Sequence, residues 1–284
     1  MESFLLLHES ILHRGLLLLA FVIFALWETF RPRRTLSGST GRRWAHHAIL
    51  SVAGSFSIIW IYRVSGLVVA SSVAGSEYGL LNREILPFGV RFVLSVLLLD
   101  LFRYGQHYMY HALSVLWRIH RVHHSDSDYD WSTGLRFHPG EVLLTQGSYL
   151  AVIALVAPPV LAVLLLELTD VVVSIFVHAN VVLPLWLDSR LRWFLITPDM
   201  HRIHHSAEIT EQNSNFGVVF PWWDRLFGTY LQEPAAGHDK MGIGLREFPD
   251  NLGLVGMLAQ PFRELRIAPS VSAGTVSPTA PSPR

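Results

Sequence analysis

The sequence predicts an all-α protein: a polytopic membrane bundle of helices carrying a helical, histidine-rich cap on its cytoplasmic side. Three observations predict it. Of 284 residues, 51% are hydrophobic and 15% charged, whereas roughly a quarter are charged in an ordinary soluble domain. The apolar residues gather into stretches of the length, about 20 residues, that a helix needs to cross a hydrocarbon layer. Ten of the fifteen histidines lie between His107 and His205, and eight of them recur at helical spacing, which puts side chains on one face.

The spans follow in order. The apolar run over 11–29 predicts the first, 45–70 the second and 88–106 the third. A longer apolar region, 141–180, is interrupted at Pro158-Pro159, and a proline pair ends a helix, so this region is long enough for two short spans or for one re-entrant membrane hairpin turning there, of which the hairpin is the preferred reading. The opening MESFLLLHESILHR has an acid before the apolar run and no cationic leader or small-residue cleavage signature, so the first span is expected to be retained. Arg31, Arg33, Arg34, Arg42 and Arg43 follow it, whereas the 71–87 connection carries only Arg83 against Glu77 and Glu84. The positive-inside tendency then puts the 31–44 loop in the cytoplasm. Counting spans onward places every histidine cluster on that same face. The chain divides into N-terminal spans (1–87), a histidine-bearing domain (88–232) and a C-terminal segment (233–284) whose small, proline-rich end from Ala268 reads as a disordered tail.

The clusters are His107/His111, His120/His123/His124 and His201/His204/His205. Eight imidazoles exceed the four to six ligands that one zinc or octahedral ion accepts, so the count points to two metals. Asp100, Tyr104, His107 and His111 step by four, three and four along one helical stripe, which must face protein or a cavity because ionisable groups facing lipid are costly. The second and third clusters share the wording H-R-x-H-H and read as two halves of one site. Asp126, Asp128 and Asp130 follow the second, and read as acceptors for imidazole N–H groups or as solvated loop charges. His178, in SIFVHANVVLP, ends the hairpin beside Asn180 and joins in this setting as a ninth ligand. His138 in RFHPGE has three readings: ligand, partner of a ligand, or helix-start residue. His8, His13, His46, His47 and His238 have no partner at useful spacing and are taken as structural or surface residues. Trp222, Trp223, Phe227 and Tyr230 read either as closing a lipid cavity or as interfacial anchors.

The absence of cysteine excludes disulfides, thiolate metal sites and cysteine-ligated clusters in this chain. Formal net charge is zero, with no phosphate loop or dinucleotide fingerprint, so nothing points to nucleic acid.

The order H-x-x-x-H, H-x-x-H-H, H-x-x-H-H, with HRVHHSD, TGLRFHP, HAN, TPDMHRIHH and SNFG…PWWDRLFGTY, resembles the fatty acid hydroxylase and sterol desaturase superfamily of integral membrane oxygenases over about residues 90–232. The resemblance implies a nonhaem diiron centre (two iron ions) ligated by His107, His111, His120, His123, His124, His201, His204 and His205, with His178 matching a further histidine. It also implies O2 as cosubstrate, an external electron-donor protein, and a membrane lipid, such as a fatty acid or sterol, as substrate, hydroxylated or desaturated at a C–H bond. Two rivals are a histidine-lined metal transporter, which needs polar groups through the bilayer depth where the spans read as largely apolar, and a zinc-dependent membrane hydrolase, for which H-E-x-x-H is missing. A bis-histidine haem protein fits the clustered units poorly.

Overall fold

The computed structural model describes residues 2–76, 78–81, 86–248 and 252–264. Glu77, Arg83 and Glu84 of the 71–87 connection, and the tail from Ala268, lie outside the described residues. Among those described, the fold is all-helical, as expected. The long elements are α1 (Glu2–Phe30), α2 (Thr40–Ile61), α3 (Gly66–Val73), α4 (Phe88–Ala112), α5 (Ser114–His124), α6 (Pro139–Val156) and α7 (Val160–His178). Short helices follow: α8 (Leu185–Leu191), α9 (Pro198–His204), α10 (Ile209–Gln212), α11 (Trp222–Phe227) and α12 (Leu254–Ala259).

Four segments are long and apolar enough to cross a membrane: Ser3–Phe30, Thr40–Val73, Pro139–Val156 and Val160–His178. Helix α4, the third expected span, is 25 residues long but is not among them. Arg91, Asp100, Arg103 and the polar half from Tyr104 interrupt its apolar character. The 141–180 region does reverse at the prolines: Ala157 ends α6 in the left-handed region with φ 51°, and Pro158 and Pro159 prevent continuation. Its arms have 18 and 19 residues, about 27–28 Å at 1.5 Å per residue, so each is a full-length helix. His138 caps the start of α6, its Nδ1 accepting from Gly140 N at 3.0 Å, and Pro139 occupies the first helical position. That settles His138 as the helix-start residue.

Helix α1 packs along α7, α2 along α6, and α4 against both inner helices. Helix α3 packs between α6 and α7, and Leu80 and Leu81 donate backbone N–H groups to Leu155 and Val156 at the hairpin turn. A core of Leu67, Leu99, Tyr149, Ile153, Val163 and Leu166 fills this end. At the opposite end, α5, α9 and the loops form the cap. The 31–44 loop is bound into it: Arg33 pairs with Asp199 at 3.2 Å, and Arg43 with Asp126 at 3.0 Å and Asp130 at 2.7 Å. These arginines are thus structural partners of the histidine cap. Residues 254–262 also belong to the cap, where Met257 packs with Leu50 and Val122.

Sidedness follows from this arrangement. Ser39, Ala74 and Ala236 are exposed, and single cysteines there in the cysteine-free chain should be distinguished by an impermeant thiol reagent. Ser39 and Ala236 sites should label from one side and the Ala74 site from the other. Co-labelling of Ala236 with Ala74 would mean that 141–180 does not return to the face it left.

Candidate metal centre

The cap brings all nine predicted histidines together. His107, His111, His120, His124 and His204 form one group, and His123, His178, His201 and His205 a second, each with ligand nitrogens within 4.8 Å of one another. The groups abut: the His124 and His205 rings stack at 4.3 Å between centroids. Helix spacing explains the sorting. On α5, positions 120 and 124 share a face and enter the first group, while 123 turns toward the second. On α9 the assignment differs, with 201 and 205 sharing a face and 204 crossing over.

Hydrogen bonds aim the rings. His107 Nδ1 donates to Phe216 O at 2.8 Å, His204 Nδ1 to Ser214 O at 2.8 Å and His178 Nδ1 to Ser174 O at 2.6 Å. A carbonyl oxygen only accepts, so these rings carry the proton on Nδ1 and the lone pair on Nε2. His120 Nδ1 lies 2.6 Å from Glu141 Oε1 and His111 Nδ1 lies 3.4 Å from Asn213 Oδ1. Burial holds His123, His124, His201, His204 and His205 well below the ordinary histidine pKa, so they are neutral and able to ligate.

Three observations test whether metal ions fit. The Nε2 atoms of His111, His204 and His205 are buried without a hydrogen-bond partner, a costly state unless something binds them. His178 Nε2 lies 3.1 Å from Nε2 of both His123 and His201, and His124 Nε2 lies 3.2 Å from His120 Nε2. Nitrogens bound to one ion at about 2.1 Å and about a right angle apart lie about 3 Å from each other. The residues therefore fit two ions, one per group, with imidazole as the ligand type.

The acidic residues behave differently from expectation. Asp126 and Asp130 bond groups other than the site imidazoles. Asp126 is held well below the usual carboxylate range by Arg43 and Arg136 against its own burial, and accepts from Thr133. Asp130 caps the turn Trp131–Leu135 and accepts from Trp44. Asp128 accepts from Ser37 and Gly38. A carboxylate that meets a site imidazole is Glu141, against His120, which sequence reasoning missed. His47, taken as structural, is a buried hub between Ser132 and Arg136. His238 is buried beside Asp199 and Glu233 rather than at the surface.

Two sequence motifs acquire roles. In SNFG, Asn215 adopts φ 52° and directs the flanking carbonyls of Ser214 and Phe216 at His204 and His107. Asp224 of PWWDRLFGTY anchors that segment by accepting from Phe216 N at 2.7 Å and Gly217 N at 2.8 Å. A Cβ on Gly217 would stand 2.6 Å from Ile196 Cδ1 and 2.9 Å from Phe220 O, so only glycine fits. The arginines of the two H-R-x-H-H units are fully buried: Arg121 donates to the carbonyls of Gln260 and Arg263, and Arg202 to Asp199 and Ala179 O. Trp222, Trp223, Phe227 and Tyr230 do not line the cavity at the histidines. Trp223 bonds Asp100 and Phe227 stacks on Tyr104.

Residues 92–229 match the model of the fatty acid hydroxylase family. Alkylglycerol monooxygenase of Xenopus tropicalis is 29% identical over 64% of this chain and 40% of its own length. Ornithine lipid hydroxylase OlsE of Rhizobium tropici is 30% identical over 62% of this chain and 51% of its own. Human alkylglycerol monooxygenase is 30% identical over 50% and 30%. The chain thus spans about half or less of the length of these curated relatives. No solved structure matches it.

Replacing Glu141 by alanine should weaken metal binding about 10–100-fold, while Glu141→Gln, whose amide oxygen still accepts from His120, should retain most of it. Asp224→Ala should cost about 2 kcal/mol of stability by leaving the Phe216 and Gly217 N–H groups unpaired. Competition against a calibrated chelator and thermal unfolding read the two effects.

Proposed function

We propose, from the match of residues 92–229 to the fatty acid hydroxylase family, that the protein is an O2-dependent membrane oxidoreductase that hydroxylates a lipid C–H bond at a diiron centre. One observation carries the reading: nine imidazoles, eight buried and His107 half-buried, sort into groups of five and four, and His107, His120, His123, His178 and His201 line a cavity of about 250 Å³ between α4, α6 and α7. Hydroxylation is favoured over desaturation because the relatives' names are those of a monooxygenase and a hydroxylase.

When bound, a pair of iron ions supplies the redox chemistry with O2 that an unactivated C–H bond requires. The chain's own residues do the rest. Ser174, Ser214 and Phe216 carbonyls, Asn213 and Glu141 fix the orientations of His178, His204, His107, His111 and His120. Phe137, Val142, Val177 and Val218 line the cavity and keep bulk water from the reacting carbon. Insertion of one oxygen atom from O2, with the other leaving as water, consumes two electrons and two protons. With no cysteine in the sequence, the electrons come from a donor outside these 284 residues. That donor docks on the face carrying the histidines, which we assign to the cytoplasm from the Arg31–Arg43 cluster.

Membranes containing the protein should form a hydroxylated lipid that is absent without it and absent under nitrogen, read by mass spectrometry with 18O2. His123→Ala and His204→Ala should abolish the product, and His8→Ala should retain it. Full activity in the first two variants would refute the assignment of the centre.

A further inference from the structure

The cavity at the histidines borders a second of about 730 Å³. The two share Ile58, Arg103, Gln146 and Asp170, and so adjoin at these residues on the way from the centre toward α3. Arg103 stands at the junction, four residues before His107 and about 6 Å from it along the axis of α4. Its Nη2 donates to Asp170 Oδ2 at 2.8 Å, and its guanidinium lies 5.1 Å from the centroid of the Tyr149 ring. Two donors here are buried without a hydrogen-bond partner: Arg103 Nη1 and the Tyr149 hydroxyl, with Tyr149 only 4% exposed. Beyond the junction the second cavity is charged, lined by Glu9, His13, Arg14, Arg63 and Glu167.

Unpaired buried donors are costly, and a charged one more so. A hydrocarbon tail brings no acceptor to them, and the polar end of a lipid does. Arg103 and His107 are only about 6 Å apart along α4, so only a short length of chain separates the junction from the histidines. We propose that Arg103 Nη1 and the Tyr149 hydroxyl bind an oxygen of the substrate's polar end, with the headgroup in the charged cavity beyond. The oxygen is that of a hydroxyl, ester or carboxylate, and the carbon oxidised lies near the polar end of the chain. This rests on the lipid-oxidation reading above and adds to it the polar end from which the reacting carbon is measured.

The test uses the full chain in detergent, first metal-free. Displacement of a spin-labelled C16 alcohol by hexadecanol, palmitate and hexadecane reads binding without turnover. Tyr149→Phe should weaken hexadecanol or palmitate about tenfold and leave hexadecane unchanged. The double variant Arg103→Met/Asp170→Leu, which removes the ion pair without leaving an unpaired buried charge, should weaken them about 10–100-fold. The probe more affected tells a neutral from an anionic acceptor. If the double variant does not fold, Tyr149→Phe decides. In the iron-loaded protein the hydroxyl should keep its position, counted from the polar end, across C14, C16 and C18 chains. Equal effects on polar and hydrocarbon probes, no effect on either, or a hydroxyl whose position follows the methyl end would overturn the proposal. Selective binding with no oxygen-dependent product from any probe would uphold the subsite while refuting the lipid-oxidation reading.

Discussion

The structure depends on keeping nine imidazoles in one confined space with their ligand nitrogens converging on two points. Rings packed this closely have no mutual attraction sufficient to hold them. Five of the nine are oriented by an acceptor at the far nitrogen, and each of those acceptors must itself be fixed, while Nδ1 of His123, His124, His201 and His205 is buried without a partner. Backbone carbonyls orient His107, His178 and His204. The Ser214 and Phe216 carbonyls are turned inward by the left-handed Asn215, and Asp224 clamps the segment from behind. Glu141 at the first turn of α6 orients His120, and the turn of α7 preceding His178 orients His178 itself. The two arms of the hairpin therefore supply part of the centre, and the membrane-spanning and histidine-bearing parts are mechanically continuous.

A second layer of buried charge locks that layer in place. Arg43 on α2 reaches Asp126 and Asp130, Arg136 donates to Val122 O and Ser125, and Arg202 to Asp199. Removing one partner from such a pair strands a buried charge and costs far more than the pair contributes. The recurrent arginine in H-R-x-H-H is thus explained by packing: it ties each histidine helix to a neighbouring segment, Gln260–Arg263 for α5 and Ala179 for α9.

Much of the centre was legible because its ligands are local in sequence. Imidazoles three and four apart share a helix face whatever the tertiary structure, and Pro158-Pro159 forces the reversal that returns His178 to the other eight. What was not legible is convergence. Nothing in the sequence relates Glu141 to His120, or Asn213 and Phe216 to α4, because these contacts span 21 to 109 residues. Asp126 and Asp130, in the acidic run after the second cluster, were misleading, since proximity in sequence to histidines did not make them face those rings. The spans also read as largely apolar, because Glu9, His13, Arg103, Gln146, Glu167 and Asp170 are scattered singly over four helices. Only packing shows that they line two adjoining cavities.

The central claim is that two ions are held by imidazoles alone, five at one and four at the other. Elemental analysis of protein from iron-replete cells, with X-ray absorption at the metal edge of the same sample, tests it directly. The account predicts two metal ions per chain and a protein ligand shell of nitrogen at about 2.0–2.1 Å, with the outer-shell scattering of imidazole rings. A reproducible single ion per chain, or a shell dominated by carboxylate oxygen, would contradict it.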